Sequence, residues 1–259
     1  MAEYNPESGL FPALMKHWRG KRGLSQLDLA LAADVSAKHI SFLETGRSRP
    51  SAEMVVRLAT TLGVPLRHTN AMLRAAGLEP IFEESPDALP PVVRDALAML
   101  KTHHEPFPLV VVDRSYGIWD INRGALALFA ALLDVPVSSG ETDRAMLSNF
   151  NLARLSFDPN GAQPYIKNFD ELGRILLWRI QREVLADPDD GEMRSLLDDL
   201  LAMPTIDPDW RRVDLSIAAT PAVLVEIEKG DLSLRFLTMV TAFQAPQNVA
   251  VEELRVETW

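Results

Sequence analysis

Apolar residues in the first third of the chain recur at helical spacing, in short runs broken by polar or turn-forming residues. Residues 10–22 form one such run, with a basic end. Ser25 is placed to cap the next run, whose Leu27, Leu29, Ala30 and Ala33 are assigned to one side of a helix. Asp34-Val35 makes a tight turn, and Ser36 opens a further helix whose Ile40 and Leu43 point back at the preceding one. Ser51 caps a fourth run with Met54, Val55, Leu58, Ala59 and Leu62 at core spacing; Pro65 opens a fifth that stops at Ala76-Gly77. Five short helices packed closely along the chain predict a compact all-α domain over residues 1–78.

The pattern then changes. Glu79 to Pro91 mixes prolines, Pro86 among them, with acids and reads as a linker or docking segment. Val92 to Leu100 predicts a short helix, so 79–105 is a connecting region. From Pro106 the period shortens. Leu109–Val112 and Ile118–Ile121 predict strands around a turn at Asp113–Gly117, and Asn122 is placed to cap a helix through Phe129 and Leu133. Asp170–Leu185 carries a Leu172, Leu176, Ile180 stripe, and a second helix runs near Met193–Leu201. Strands return at Val223–Ile227 and Leu232–Phe243 about a hairpin turn at Gly230-Asp231, and Val249–Val256 alternates weakly before Trp259. Residues 106–259 therefore predict an α+β domain, an antiparallel sheet faced by helices.

The two central short helices fit the helix-turn-helix plan, in which the second helix enters the DNA major groove; taken alone, their spacing fits an ordinary helical hairpin as well. Ala37, Lys38, Ser41 and His39 supply the outer side of the second helix, with Ser36 at its start and Gln26 at the start of the first as phosphate-side candidates. Arg47 and Arg49 form a basic turn behind it. Phe42 fits either core packing or contact with a thymine methyl. The net charge of −10 argues against DNA until it is divided: residues 11–78 hold 10 basic against 4 acidic residues, while 79–259 hold 16 against 30. That split places phosphate contact at one end only.

The string S-Q-x-x-L-A-x-x-A-x-V-S-x-x-x-I-S-x-L-E-x-G-R-x-R-P, from Ser25 to Pro50, is similar to the Cro/repressor, or XRE, family of DNA-binding domains. Asp34 stands where that family usually has glycine, a substitution that a left-handed turn tolerates. His39–Ala59, Arg67–Gly77, Pro108–Asp113, Asn122, Asn151–Ser156 and Phe243–Pro246 extend the likeness to the MmyB-like transcription regulators. The resemblance implies an XRE-type domain joined to a PAS-like ligand-binding domain, a double-stranded DNA operator, a homodimer, and a small apolar or fatty-acid-like ligand.

Candidate ligand contacts follow from that implication. Trp119, Phe129, Trp178 and Phe236 are ordinary core material or the lining of a cavity between sheet and helices. Arg154, set between Leu152 and Leu155, meets either a ligand carboxylate or an internal acid, with Asn151 beside it and Asn122 among the matched positions. The alternative is a protein-docking or dimerisation module with a packed core and an exposed patch. No cysteine occurs, which excludes disulfides and thiolate metal sites. His103-His104 reads as solvated, and Asp187–Glu192, with Asp189 in it, lacks carboxylates at the first and last positions of a calcium loop. No catalytic motif, metal site or cofactor pattern is found, so the chain is expected not to be an enzyme. Without an 18-residue apolar run or signal-peptide pattern, a cytoplasmic location away from membranes is expected.

Overall fold

The computed structural model describes residues 9–85, 89–135, 150–188, 190–212, 222–243 and 246–259; Pro86, Asp189 and the Gln244-Ala245 pair singled out above lie outside these. The chain forms two compact units, residues 1–89 with 245–252 and residues 90–244 with 253–259. The first unit thus takes in a late segment that a division into consecutive domains leaves out.

In the first unit the predicted caps set the helices. These are α1 (Leu10–Lys21), α2 (Gln26–Ala32), α3 (Ala37–Glu44), α4 (Ala52–Thr61) and α5 (Leu66–Ala75). The Ser25 hydroxyl accepts the Asp28 N–H while the Asp28 carboxylate accepts the Ser25 N–H, a reciprocal capping box. Ser36 and Ser51 accept the N–H groups of His39 and Met54. Asp34 makes the turn at φ 54°, the left-handed conformation its short polar side chain tolerates. Met15, Leu29, Ile40, Leu43, Leu58 and Leu73 form the core. Leu27 is a correction: it is 58% exposed, because two residues along a helix it lies about 200° round from Leu29.

The connecting stretch after α5 is pinned rather than loose. The buried Asn70 side chain accepts the N–H groups of Ile81 and Phe82 and donates to the Phe82 carbonyl. Helix α11 (Val249–Glu253) corrects the strand expected over 249–256. Asn248 caps it through the Val251 N–H, the Val249 N–H donates to the Glu83 carbonyl, and Val249, Ala250 and Val251 are all buried. The Glu252 carboxylate accepts the Leu66 N–H at 2.8 Å. It thereby caps α5, whose own N-cap, Pro65, offers no side-chain acceptor.

The second unit holds α6 (Pro91–His104), β1 (Leu109–Val112), β2 (Ile118–Ile121), α7 (Arg123–Leu133), α8 (Leu152–Phe157), α9 (Phe169–Ala186), α10 (Gly191–Leu201), β3 (Ala222–Lys229), β4 (Leu232–Ala242) and β5 (Arg255–Thr258). The strands form one antiparallel sheet in the order β2-β1-β5-β4-β3. The last strand of the sequence is therefore central, with Val110 of β1 and Val240 of β4 both opposite Glu257. Gly230, at φ 57°, turns the β3–β4 hairpin. Val225 and Ile227 of β3 join Leu128, Phe129, Leu152, Leu177, Ile180 and Leu196 in one core. This is the helical domain plus antiparallel α+β domain expected from the sequence.

Candidate nucleic-acid interface and ligand cavity

On α3, Ile40 and Leu43 are fully buried, which turns the remaining positions outward. Ser36 and Lys38 are exposed, and Ala37, His39 and Ser41 are half-buried. Arg47 and Arg49 are exposed in the turn that follows. Phe42 is half-buried and outside the core cluster, so of its two readings core packing is corrected. The Lys38 ammonium lies 5.5 Å from its ring centre and the Arg47 guanidinium 5.9 Å away. Both cations thus lie near one aromatic ring, an attraction of modest strength because the site is exposed.

Gln26 has a bonding partner within the helical unit. Its amide donates to the Glu44 carboxylate at 2.7 Å, and Arg19 donates to the same carboxylate through Nε at 2.6 Å and Nη2 at 3.0 Å. Glu44 is 1% exposed. Burial pushes its carboxyl toward the neutral form, but the Arg19 and Gln26 bonds outweigh that and hold its pKa below the usual value. The last residue of α3 is thus clamped to α1 and α2, fixing the presentation of Lys38, Ser41 and Arg47. Arg19 and Glu44 had no assigned role in the sequence; the signal available was an acid at a position where the helix period demands burial.

The second unit contains a cavity between the sheet and its helices, about 730 Å³ with the open space at its mouth and narrow inside, about 60 Å³. That interior is smaller than the several hundred cubic ångströms usual for a small-molecule site. Its walls are apolar: Phe129 and Leu132 from α7, Leu152 and Leu155 from α8, Leu172, Ile175 and Leu176 from α9, and Val223, Val225 and Ile227 from β3. Of the seven expected ligand contacts, only Phe129 lines it.

The other six lie outside its lining. Asn122 caps α7, accepting the Leu109 and Ala125 N–H groups and donating to the Phe107 carbonyl. Asn151 caps α8 and donates to the Ser115 carbonyl. Arg154 pairs with Asp199 at the surface, so the internal acid is its partner. Trp119 is half-buried on β2, Trp178 is buried beneath the Arg182 guanidinium, and Phe236 packs 6.2 Å from Trp259. The polar groups that do line the cavity are Tyr116, Ser156, Arg179, Thr238, Glu257 and Trp259. Tyr116 stands at φ 67° in the β1–β2 turn, an unusual conformation for a bulky residue, and burial pushes its hydroxyl pKa up to about 12.

A helix-turn-helix unit joined to a sheet-and-helix unit with an apolar cavity is the architecture of a two-part regulator. Residues 93–259 match the family described as the MmyB-like transcription regulator ligand binding domain, and residues 15–68 match a helix-turn-helix family. The chain belongs to the MmyB-like transcription regulator ligand-binding-domain family. It is also similar to the HTH-type transcriptional regulator DdrOP3 of Deinococcus deserti, 33% identical over 84 residues, 32% of this chain and 61% of that relative's length. The chain therefore spans less than two thirds of that relative. No helix among the described residues is long and apolar enough to cross a membrane.

Proposed function

We propose that this chain is a cytoplasmic, non-enzymatic DNA-binding transcription regulator that acts as a homodimer, its operator affinity set by a small apolar, fatty-acid-like ligand held in the second unit. The observation that carries the reading is the apolar cavity, whose wall includes β5. Leu254 alone separates β5 from α11, and α11 supplies the Glu252 cap of α5 in the first unit. A ligand that shifts β5 therefore pulls on a segment built into the helix-turn-helix unit. Leu224, Leu237 and Met239, exposed on the outer face of β3 and β4, supply an apolar surface suited to a second copy.

The test is a titration of purified protein onto a fluorescent operator selected from random DNA, with and without n-alkyl compounds of increasing length. Ligand affinity should rise by about 0.8 kcal/mol, roughly fourfold, per added methylene. Operator affinity should shift by about 5- to 150-fold, with the same factor appearing when ligand is titrated in the presence of DNA. Sequence-selective DNA binding indifferent to every such compound would leave the protein-docking reading in its place.

A further inference from the structure

The polar end of the cavity has unmet bonding capacity. Arg255 and Glu257 of β5, with Trp259 just past its end, alternate along one face, and α9 brings Arg179 and Glu183, one turn apart, to Glu257 and Arg255. Arg255 and Glu183 satisfy each other at 2.9 Å. Arg179 and Glu257, which both line the cavity, form no ion pair or hydrogen bond between them, and among the described residues Arg179 has no such partner. The Tyr116 hydroxyl and the Trp259 indole N–H are buried without a hydrogen-bond partner, although that N–H lies near enough to Glu257 to favour its ionised form. Buried polar groups left unmatched are costly, and where several border one cavity they describe the complement of what belongs there.

That complement is a group rich in acceptors for Arg179, Trp259 and Tyr116. A carboxylate supplies them, but it brings a second negative charge beside Glu257, and two carboxylates sharing a dry site cannot both ionise. We propose that this end of the cavity is a proton-coupled carboxylate subsite: Arg179 pairs with the head group of an apolar-tailed acid, and Glu257 carries a proton from solvent whenever that acid is bound. The protonated Glu257 then donates to one ligand oxygen while Arg179 donates to the other, and no buried charge is left unpaired.

The groups facing Glu257 agree with this. Burial raises its pKa, and Arg179 and Arg255 only partly oppose that. Glu183 is occupied by Arg255, Tyr116 stays neutral, and the β1 and β4 neighbours are Val110 and Val240. The subsite rests on the cavity being the ligand site, and the experiment separates the two.

Decanoate and 1-decanol are titrated calorimetrically into the 259-residue protein between about pH 5.5 and pH 8.5. Above the pH at which free Glu257 ionises, decanoate affinity should fall about tenfold per pH unit, with proton uptake revealed by buffers of different ionisation enthalpy; decanol affinity should stay flat. Glu257→Gln should bind decanoate without the pH dependence. Arg179→Gln should bring decanoate to the affinity of decanol. The wild-type profile alone decides the matter should either variant fail to fold. Equal, pH-independent binding of both compounds overturns the subsite and leaves the apolar-ligand reading standing, whereas binding of neither at any pH overturns both.

Discussion

Removing the Glu44 carboxylate should destabilise the first unit far more than a surface substitution would. Glu44→Ala deletes the acceptor of two Arg19 bonds and one Gln26 bond at a side chain with no exposure. Breaking a buried ion pair from one side costs about 3–5 kcal/mol. Arg19 is 20% exposed and keeps its bond to the Leu24 carbonyl, so the lower end, about 3 kcal/mol, applies. Hydrogen exchange followed by mass spectrometry reads this unit by unit: protection of peptides from α1 to α3 should fall by roughly a hundredfold at neutral pH, and that of β3–β4 should not change. The effect has a pH signature. Because the folded pKa of Glu44 lies below its ordinary 4.5, its contribution is complete above that value and disappears as pH falls through the folded pKa. The difference between wild type and variant, corrected for intrinsic exchange, should therefore narrow as the solution is acidified below about pH 4.5. A drop under tenfold at neutral pH, or a gap that holds constant into acid, would show that the clamp is not electrostatic.

Three further outcomes test other parts of the structure. Lys38→Ala should weaken operator binding by about 1–3 kcal/mol with relaxed preference at one base pair if the lysine reads a guanine, or lower the salt slope by about one with preference intact if it meets a phosphate; unchanged footprinting removes it from the interface. Glu252→Ala should destabilise the start of α5 by about 1 kcal/mol, the usual worth of a helix cap, seen as faster exchange at Leu66–Arg67. Leu237→Lys, on the exposed face of β4, should shift the chain from dimer to monomer in light scattering, and an unchanged mass would place the dimer contact elsewhere.

What the sequence discloses depends on how local the deciding chemistry is. Ser25, Ser36, Ser51 and Asn122 were readable as caps because an N-cap bond spans three residues. The 249–253 helix was not, because its valines fit a strand equally well and its partners, Glu83 and Leu66, lie far away in the chain. The β5 pattern misleads for another reason. Alternation separates an inside from an outside only at a half-exposed strand, and β5 is central, with Val256 and Glu257 both buried.

Arg154 and Arg179 differ in what their helices make them face. Leucines flank Arg154 in sequence, yet on α8 Leu152 and Leu155 turn inward while Arg154 pairs with Asp199 outside. Residues adjacent along a helix do not share a face. Leu172, Ile175, Leu176 and Arg179 do: they follow the i, i+3, i+4, i+7 positions of α9, and all four line the cavity. A cation at the fourth position of an apolar stripe must face whatever the stripe faces. Arg179 is half-buried there and has no ion-pair partner among the described residues. Read by helical position rather than by adjacency, the same sequence points to Arg179, and through it to Glu257 on the strand it faces.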